Sequence, residues 1–279
     1  MAYKTLLSVL TDAAFAENVL SHGVAIADVT DAHLEVLCLG VDRSQTGYYY
    51  AGANAMVLQE TINRAQEDAE KIEAACKSKL AGSSVRWSTD SGVAQLADLG
   101  RHVAARARFS DLVILPKPYG KNHGAELEPV VEAALFEGQA PVLVVPDAGA
   151  PRPTPKCVMI GWNESAESLN AVRAALPVLC SAEAVHVVVI DPPVHGPYRS
   201  DPGGMLSQYL SRHGVRAEVD VLSKTLPRVS DVLTRHASDI EADLIVMGAY
   251  GHSRFREAIL GGATRYMLEQ ADLPVFMAH

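Results

Sequence analysis

Cationic residues are scarce in this chain: 24 Lys and Arg stand against 33 Asp and Glu, for a formal net charge of -9 at pH 7. Holding duplex nucleic acid requires a basic surface that neutralises phosphates, so this balance excludes a duplex as the main partner. A local basic loop that meets one small anion remains compatible with it. Cysteine is equally sparse. Cys38, Cys76, Cys157 and Cys180 form neither a CxxC nor a zinc pattern and read as free thiols in a reducing cytosol. Long apolar runs are missing too; the best are strand-sized, short of the roughly 20 residues a membrane helix needs. The opening MAYKTLLSVLTDAAFAENVL carries Asp12 and Glu17 and lacks the basic, apolar and cleavage regions of a signal peptide. The expectation is a soluble, cytoplasmic protein with no membrane and no nucleic-acid partner.

What the chain does have is enough length, 279 residues, for one large or two ordinary domains. The stretch Asp147–Pro155 (DAGAPRPTP) reads as a linker, and the sequence repeats itself on either side. Lys4–Leu10 resembles Lys156–Trp162, Ser110–Leu115 resembles Ala242–Met247, and Ala140–Pro146 resembles Leu273–Ala278. This predicts a first domain over 1–147, a linker over 148–155 and a second domain over 156–279. Between its second and third strands the second half is roughly 20 residues shorter, a variable crossover on one frame.

Within each half, Val/Ile/Leu runs alternate with helical spacing. The first has strands at Leu34–Leu39 and Val85–Ser88 and helices over Ala55–Leu80 and Leu96–Ala107; the second has strands at Val185–Ile190 and Arg216–Leu222 and helices over Met205–Arg212 and Val229–Ser238. Nearly continuous apolar strands suit a parallel sheet covered on both faces. The predicted fold class is α/β: two tandem doubly wound, Rossmann-like domains with mainly parallel five-stranded sheets.

The most informative motif lies near the C-terminus. After the apolar run Asp243–Gly248, the spacing G-x2-G-x9-G-G-x-T takes in Gly248, Gly251, Gly261, Gly262, Ala263 and Thr264, followed by the helix-like Thr264–Gln270. A glycine loop between a strand and a helix N-terminus can hold phosphate, because N–H groups converge there and the helix dipole favours an anion. A glycine in such a loop can equally serve only a turn or a close packing contact. Inside the loop, Arg254 and Arg256 are either phosphate contacts or solvated charge. His252 is an anion contact or a polar turn residue, and Ser253 reads as the cap of a short helix Arg254–Leu260. Ligands of α/β sheets sit beyond the strand C-termini at the reversal of strand order, which singles out Gly161-Trp162-Asn163 and Val189-Ile190-Asp191. Asn163 could bond an adenine or ribose, or cap the helix over Ser165–Leu176. In the first half, Pro116-Lys117-Pro118-Tyr119-Gly120 replaces the loop, and its prolines remove N–H donors. Tyr48-Tyr49-Tyr50 reads as packing between halves or a cap on a ligand or partner.

These residues resemble the universal stress protein family in its tandem two-domain form. The specific part is ADLIVMGAYGHSRFREAILGGATRYMLEQADLPVFMAH, which follows that family's G-x2-G-x9-G-[S/T] signature and terminal strand. The resemblance implies that Asn163 takes the position where ATP-binding members carry Asp, keeping an acceptor without the charge. It places Val189 at the second-strand position, and Gly248, Gly251, Gly261, Gly262 and Ala263 in the phosphate loop, with Gly262 replacing the usual Ser or Thr. In the first half Thr11 falls at the Asp position and the glycine signature is lost. The implied ligand is ATP or a related adenine nucleotide with Mg as its companion ion, and the implied assembly is a homodimer or intramolecular pseudo-dimer through terminal strands. The alternatives are a nucleotide-independent interaction or chaperone-like module and a slow ATPase; no Walker loop, GxGxxG or HExxH is present.

Overall fold

Each half of the sequence turns its apolar runs into five strands joined by helices. The structure, a computed structural model, describes residues 2–43, 55–121, 123–192, 201–249 and 262–279. The first half runs β1 (Thr5–Leu10), α1 (Ala16–Thr30), β2 (His33–Asp42), α2 (Ala55–Leu80), β3 (Arg86–Gln95), α3 (Leu99–Ala107), β4 (Leu112–Pro116), α4 (Leu127–Glu132) and β5 (Val142–Val145). The second runs β6 (Cys157–Trp162), α5 (Ala166–Leu179), β7 (Ala184–Ile190), α6 (Gly204–Arg212), β8 (Ala217–Leu222), α7 (Val229–Asp239), β9 (Leu244–Gly248), α8 (Ala263–Gln270) and β10 (Val275–Ala278).

Contacts gather the chain into two compact units, one of Tyr3–Ala140 with Asp147–Pro151 and one containing Pro141–Pro146 with Arg152–His279. In the first unit the strand order is β3-β2-β1-β4, all parallel. In the second it is β5-β10-β9-β6-β7-β8, parallel throughout except that β5 lies antiparallel to β10. The mainly parallel α/β architecture is the one the strand runs imply. Strands β4, β5 and β10 are buried at every residue, which is why they read as unbroken apolar runs. Phe276 on β10 is 1% exposed, a burial that contributes about 1.5–3 kcal/mol.

The internal repeat has a chemical basis. Asp111, just before β4, accepts N–H bonds from Lys4 (2.7 Å) and Thr5 (2.9 Å) at the start of β1. Asp243, just before β9, does the same for Lys156 (2.9 Å) and Cys157 (3.3 Å) at the start of β6. One carboxylate thus fixes the register of the opening strand in each half, satisfying backbone donors at a sheet end. The crossovers differ as the repeat implies: α2 has 26 residues and α6 only 9. At the first crossover α2 lies directly on β2, since a Cβ on Gly40 would fall 1.7 Å from the Ala65 carbonyl oxygen.

Several boundaries differ from those the sequence predicts, β2 among them, which runs on to Asp42. β3 extends to Gln95 because its backbone ladder with β2 continues through Gln95↔Asp42, although Thr89, Asp90 and Ser91 break the apolar pattern on the way. Helix α5 continues past Pro177 to Leu179; Pro177 removes one N–H bond, but buried Leu179 keeps the last turn packed. The helix over 96–107 starts at Leu99, after the Leu96 N–H has extended the ladder to the Asp42 carbonyl and the Asp98 N–H has closed a turn on Gln95.

Candidate functional site

In the second unit the strand order reverses between β6 and β9, so the crevice beyond their C-terminal ends is the place where such sheets bind ligands. Gly161 pairs with Met247 across that junction, which sets Trp162 and Asn163 beside Gly248 and Ala249. On the other side of β6, Trp162 pairs with Val189 of β7. The residues singled out at the ends of β6, β7 and β9 are therefore brought to one edge.

Their local roles differ. Gly248 is required by packing: an added Cβ would lie 2.6 Å from the Ser168 nitrogen in the first turn of α5. Gly161 is not so constrained, its Cβ position meeting the Leu233 side chain at 3.5 Å and the Met247 Cβ at 3.7 Å, both ordinary contacts. Asn163 is exposed, and its Oδ1 accepts the Ser165 N–H at 3.2 Å, forming an Asx turn into α5. The cap of α5 is Ser165, whose Oγ accepts the Ser168 N–H at 3.1 Å. Val189 is buried, so only its backbone is offered at the edge. Asp191 adopts φ 45° and accepts the Lys224 N–H at 3.0 Å, tying the ends of β7 and β8.

Helix α8 starts at Ala263 with Gly262 as its N-cap, and no side chain caps it. Gly262 has none to offer, so the first N–H groups of α8 rely on other partners. Thr264 is buried on the inner face with Met267 and Leu268, while Ala263 is exposed. Gly251, His252, Arg254 and Gly261 lie outside the described residues, as do Ser253, Arg256 and Tyr48-Tyr49-Tyr50. Arg228, at the N-cap of α7, stacks its guanidinium 3.8 Å over the Tyr266 ring of α8. The sequence reading missed this cation near the α8 N-terminus, since nothing local links positions so far apart. An open groove of about 580 Å³ between α7 and the end of α8, lined by Asp231, Thr234, Arg235, Ser238, Asp239 and Gln270, holds none of the candidate residues.

The corresponding edge of the first unit carries different chemistry. Thr11 is buried after β1 with its hydroxyl unpaired, and Asp12 caps the following turn through the Ala14 N–H at 2.9 Å. Beyond β4 the chain brings its own side chains across the strand ends. His123 stacks against Phe15 at 5.1 Å and contacts Asp147 at 3.0 Å. Glu126, its side chain 4% exposed, pairs with Arg43 at 2.6 Å. Asp42 and Lys117 are buried alongside.

A second polar cluster lies in the second unit, away from the ligand edge. His186 Nδ1 and His236 Nε2 each meet Asp220 Oδ2 at 2.9 Å. Burial works to raise the Asp220 pKa, but the hydrogen bonds from His236 and His186 outweigh it and hold the carboxylate below its ordinary range. Among the described residues, no group of His, Cys, Asp and Glu is arranged to hold a metal, and no helix is long and apolar enough to cross a membrane.

The fold defines a doubly wound α/β protein whose second unit reverses its strand order between β6 and β9. Residues 156–279 match the model of the universal stress protein family. A universal stress protein of Synechocystis sp. is 29% identical over 91 residues, covering 33% of this chain and 31% of that protein, so the match spans under a third of the relative's length. A universal stress protein from Archaeoglobus fulgidus superposes at TM-score 0.68 with 16% identity, over 98% of this chain and 96% of that one. A Pseudomonas aeruginosa UCBPP-PA14 protein, provisionally described as a universal stress protein, superposes at TM-score 0.57 with 14% identity, over 99% and 92%. These likenesses show the fold across the whole chain. Residues 156–279 are a universal stress protein domain.

Proposed function

We propose that the second unit binds ATP or a related adenine nucleotide at the edge formed by β6, β7 and β9, and that the bound state governs association in a stress response. Asn163 and the backbone at Val189 face the base and ribose; Gly248, Gly251, Gly261, Gly262, Ala263 and Thr264 form the phosphate loop, with His252 and Arg254 as polar contacts. The observation that carries this reading is the reversal of strand order between β6 and β9 beside an α8 N-terminus whose cap is a glycine. Mg enters as the companion of a triphosphate, held by its oxygens. The protein is cytoplasmic on this reading, with domains over 1–147 and 156–279 joined by 148–155. The assembly that goes with this reading is a homodimer or an intramolecular pseudo-dimer.

Equilibrium binding of ATP and AMP to wild type, Gly251→Val and Gly261→Val tests the proposal. The expected result is binding by wild type and about a tenfold or greater loss in each variant, because a branched side chain blocks the approach of phosphate to backbone. A folded wild type that binds neither nucleotide at millimolar concentration would replace it with the nucleotide-independent interaction module.

A further inference from the structure

Cys38 and Cys76 take no part in either strand-end site. Cys38 is on β2 and Cys76 on α2, both are fully buried, and their sulfurs face each other at 3.8 Å with the Cys38 thiol donating. Two contacts seat α2 on the sheet, both on the N-terminal side of Cys76. Toward the start of α2, the Gly40–Ala65 contact leaves no room for even a methyl group. One turn before Cys76, Glu73 accepts a 2.8 Å hydrogen bond from Thr89 of β3. A disulfide requires sulfurs at about 2.05 Å, so closure asks for an approach of less than about 2 Å between groups already aimed at each other.

We propose that Cys38 and Cys76 are a dithiol oxidised by hydroperoxides to an intramolecular disulfide that ties α2 to β2. The Cys38 hydrogen bond lowers the Cys76 thiol pKa against the opposing effect of burial, and raises that of Cys38, so Cys76 reacts first. Its sulfur attacks one peroxide oxygen, the O–O bond breaks, and one water leaves with a sulfenic acid on Cys76. The Cys38 sulfur then attacks that sulfur, the S–O bond breaks, the S–S bond forms, and a second water departs. Two thiols and one hydrogen peroxide give one disulfide and two waters; the pair loses two electrons and the peroxide gains them. Because neither thiol is exposed, peroxide enters through local separation of α2 from β2, and reaction is slower than at an exposed thiol such as Cys180.

The test uses the full chain carrying Cys157→Ser and Cys180→Ser, which leaves the buried pair intact. After hydrogen peroxide and then denaturation, both remaining thiols are expected to resist alkylation. The protein loses the mass of two hydrogens, and a Cys38–Cys76 linked peptide appears that dithiothreitol cleaves. The oxidised form melts several degrees higher, since the crossover between β2 and α2 is now closed. Adding Cys38→Ala abolishes the linked peptide, and the remaining thiol takes up oxygen instead. If the intact pair keeps two alkylatable thiols, or gains oxygen without a linked peptide, the proposal is overturned.

Discussion

Beyond β4, the first unit folds Glu126 back under Arg43 and lays His123 against Phe15; beyond β9, the second unit has Gly248 in backbone contact with α5 and a helix opening on Gly262. Both edges sit on the same frame, with the same carboxylate clamp at the opposite end of the opening strand: Asp111 in one case and Asp243 in the other. The part of the repeat that holds the sheet together is common to both halves, and the part that could meet a ligand has diverged. In the first unit, charges that would otherwise need a ligand or solvent are met by the chain itself, as buried ionised groups demand. In the second, the described residues leave the exposed Asn163 and the backbone at Val189 and Gly248 at the edge.

The glycines offer the sharpest way to test that contrast. Gly40→Ala in the first unit forces a methyl group onto the Ala65 carbonyl and is expected to cost about 3 kcal/mol or more, as overpacking against backbone does. Gly248→Ala meets the Ser168 nitrogen at 2.6 Å and should cost about 2–3 kcal/mol. Gly161→Ala, at the same edge but with ordinary contacts, should cost under about 1 kcal/mol. Urea unfolding of the three variants checks the order. If Gly248→Ala is as mild as Gly161→Ala, the packing role assigned to Gly248 is wrong.

The Arg43–Glu126 pair is asymmetric, with side-chain exposures of 57% and 4%. Arg43→Ala strands a buried carboxylate and is expected to cost about 2 kcal/mol, whereas Glu126→Gln leaves an exposed guanidinium that water can solvate and should cost about 1 kcal/mol. Thermal melts that reverse the order would show that the first edge is not held shut by this pair.

How far the sequence anticipated these edges depends on whether the signal was local. Strand existence was legible because buried parallel strands are continuous Val/Ile/Leu runs, and α2 because its apolar residues recur at helical spacing. The continuation of β3 past Ser88 was not, since polar Thr89, Asp90 and Ser91 interrupt it and its pairing with β2 marks it. Helix α1 also escaped the reading; its end at Asp31, with φ 51° and ψ 48°, lacks the glycine that usually announces a left-handed cap. Gly248 was legible as a glycine at a strand end, but its contact with α5 depends on two segments 80 positions apart. The same holds for Arg228 over Tyr266 and for Asp220 between two histidines. Spacing within a motif reports local geometry, and a side chain recruited from another element leaves no trace in it.

That histidine cluster gives the second unit an acid sensitivity centred on Asp220. With its folded-state pKa held below the ordinary carboxylate value near 3.9, the stabilisation is complete above that value and is lost as pH falls through the folded-state pKa. Asp220→Asn should cost about 1–2 kcal/mol at neutral pH and flatten the stability profile below about pH 4. An unchanged acid limb in this variant would move the sensitivity elsewhere.

The smallest expected difference concerns the turn after each opening strand. Asp12 caps the short turn after β1 through the Ala14 N–H, and Ser165 caps α5 after β6 through the Ser168 N–H. Removing either acceptor by substitution with Ala should cost about 1 kcal/mol. Ser165→Ala is expected to have the larger effect, because α5 packs against β9 and β10 and fraying its first turn also loosens the contact with Gly248. Hydrogen exchange at the Ser168 amide in Ser165→Ala reads this directly. Faster exchange there together with faster exchange at Ala249, whose N–H bonds the Ala278 carbonyl at 2.9 Å, would show the cap supporting the edge of the second unit. Faster exchange confined to α5 would limit the cap to its own helix.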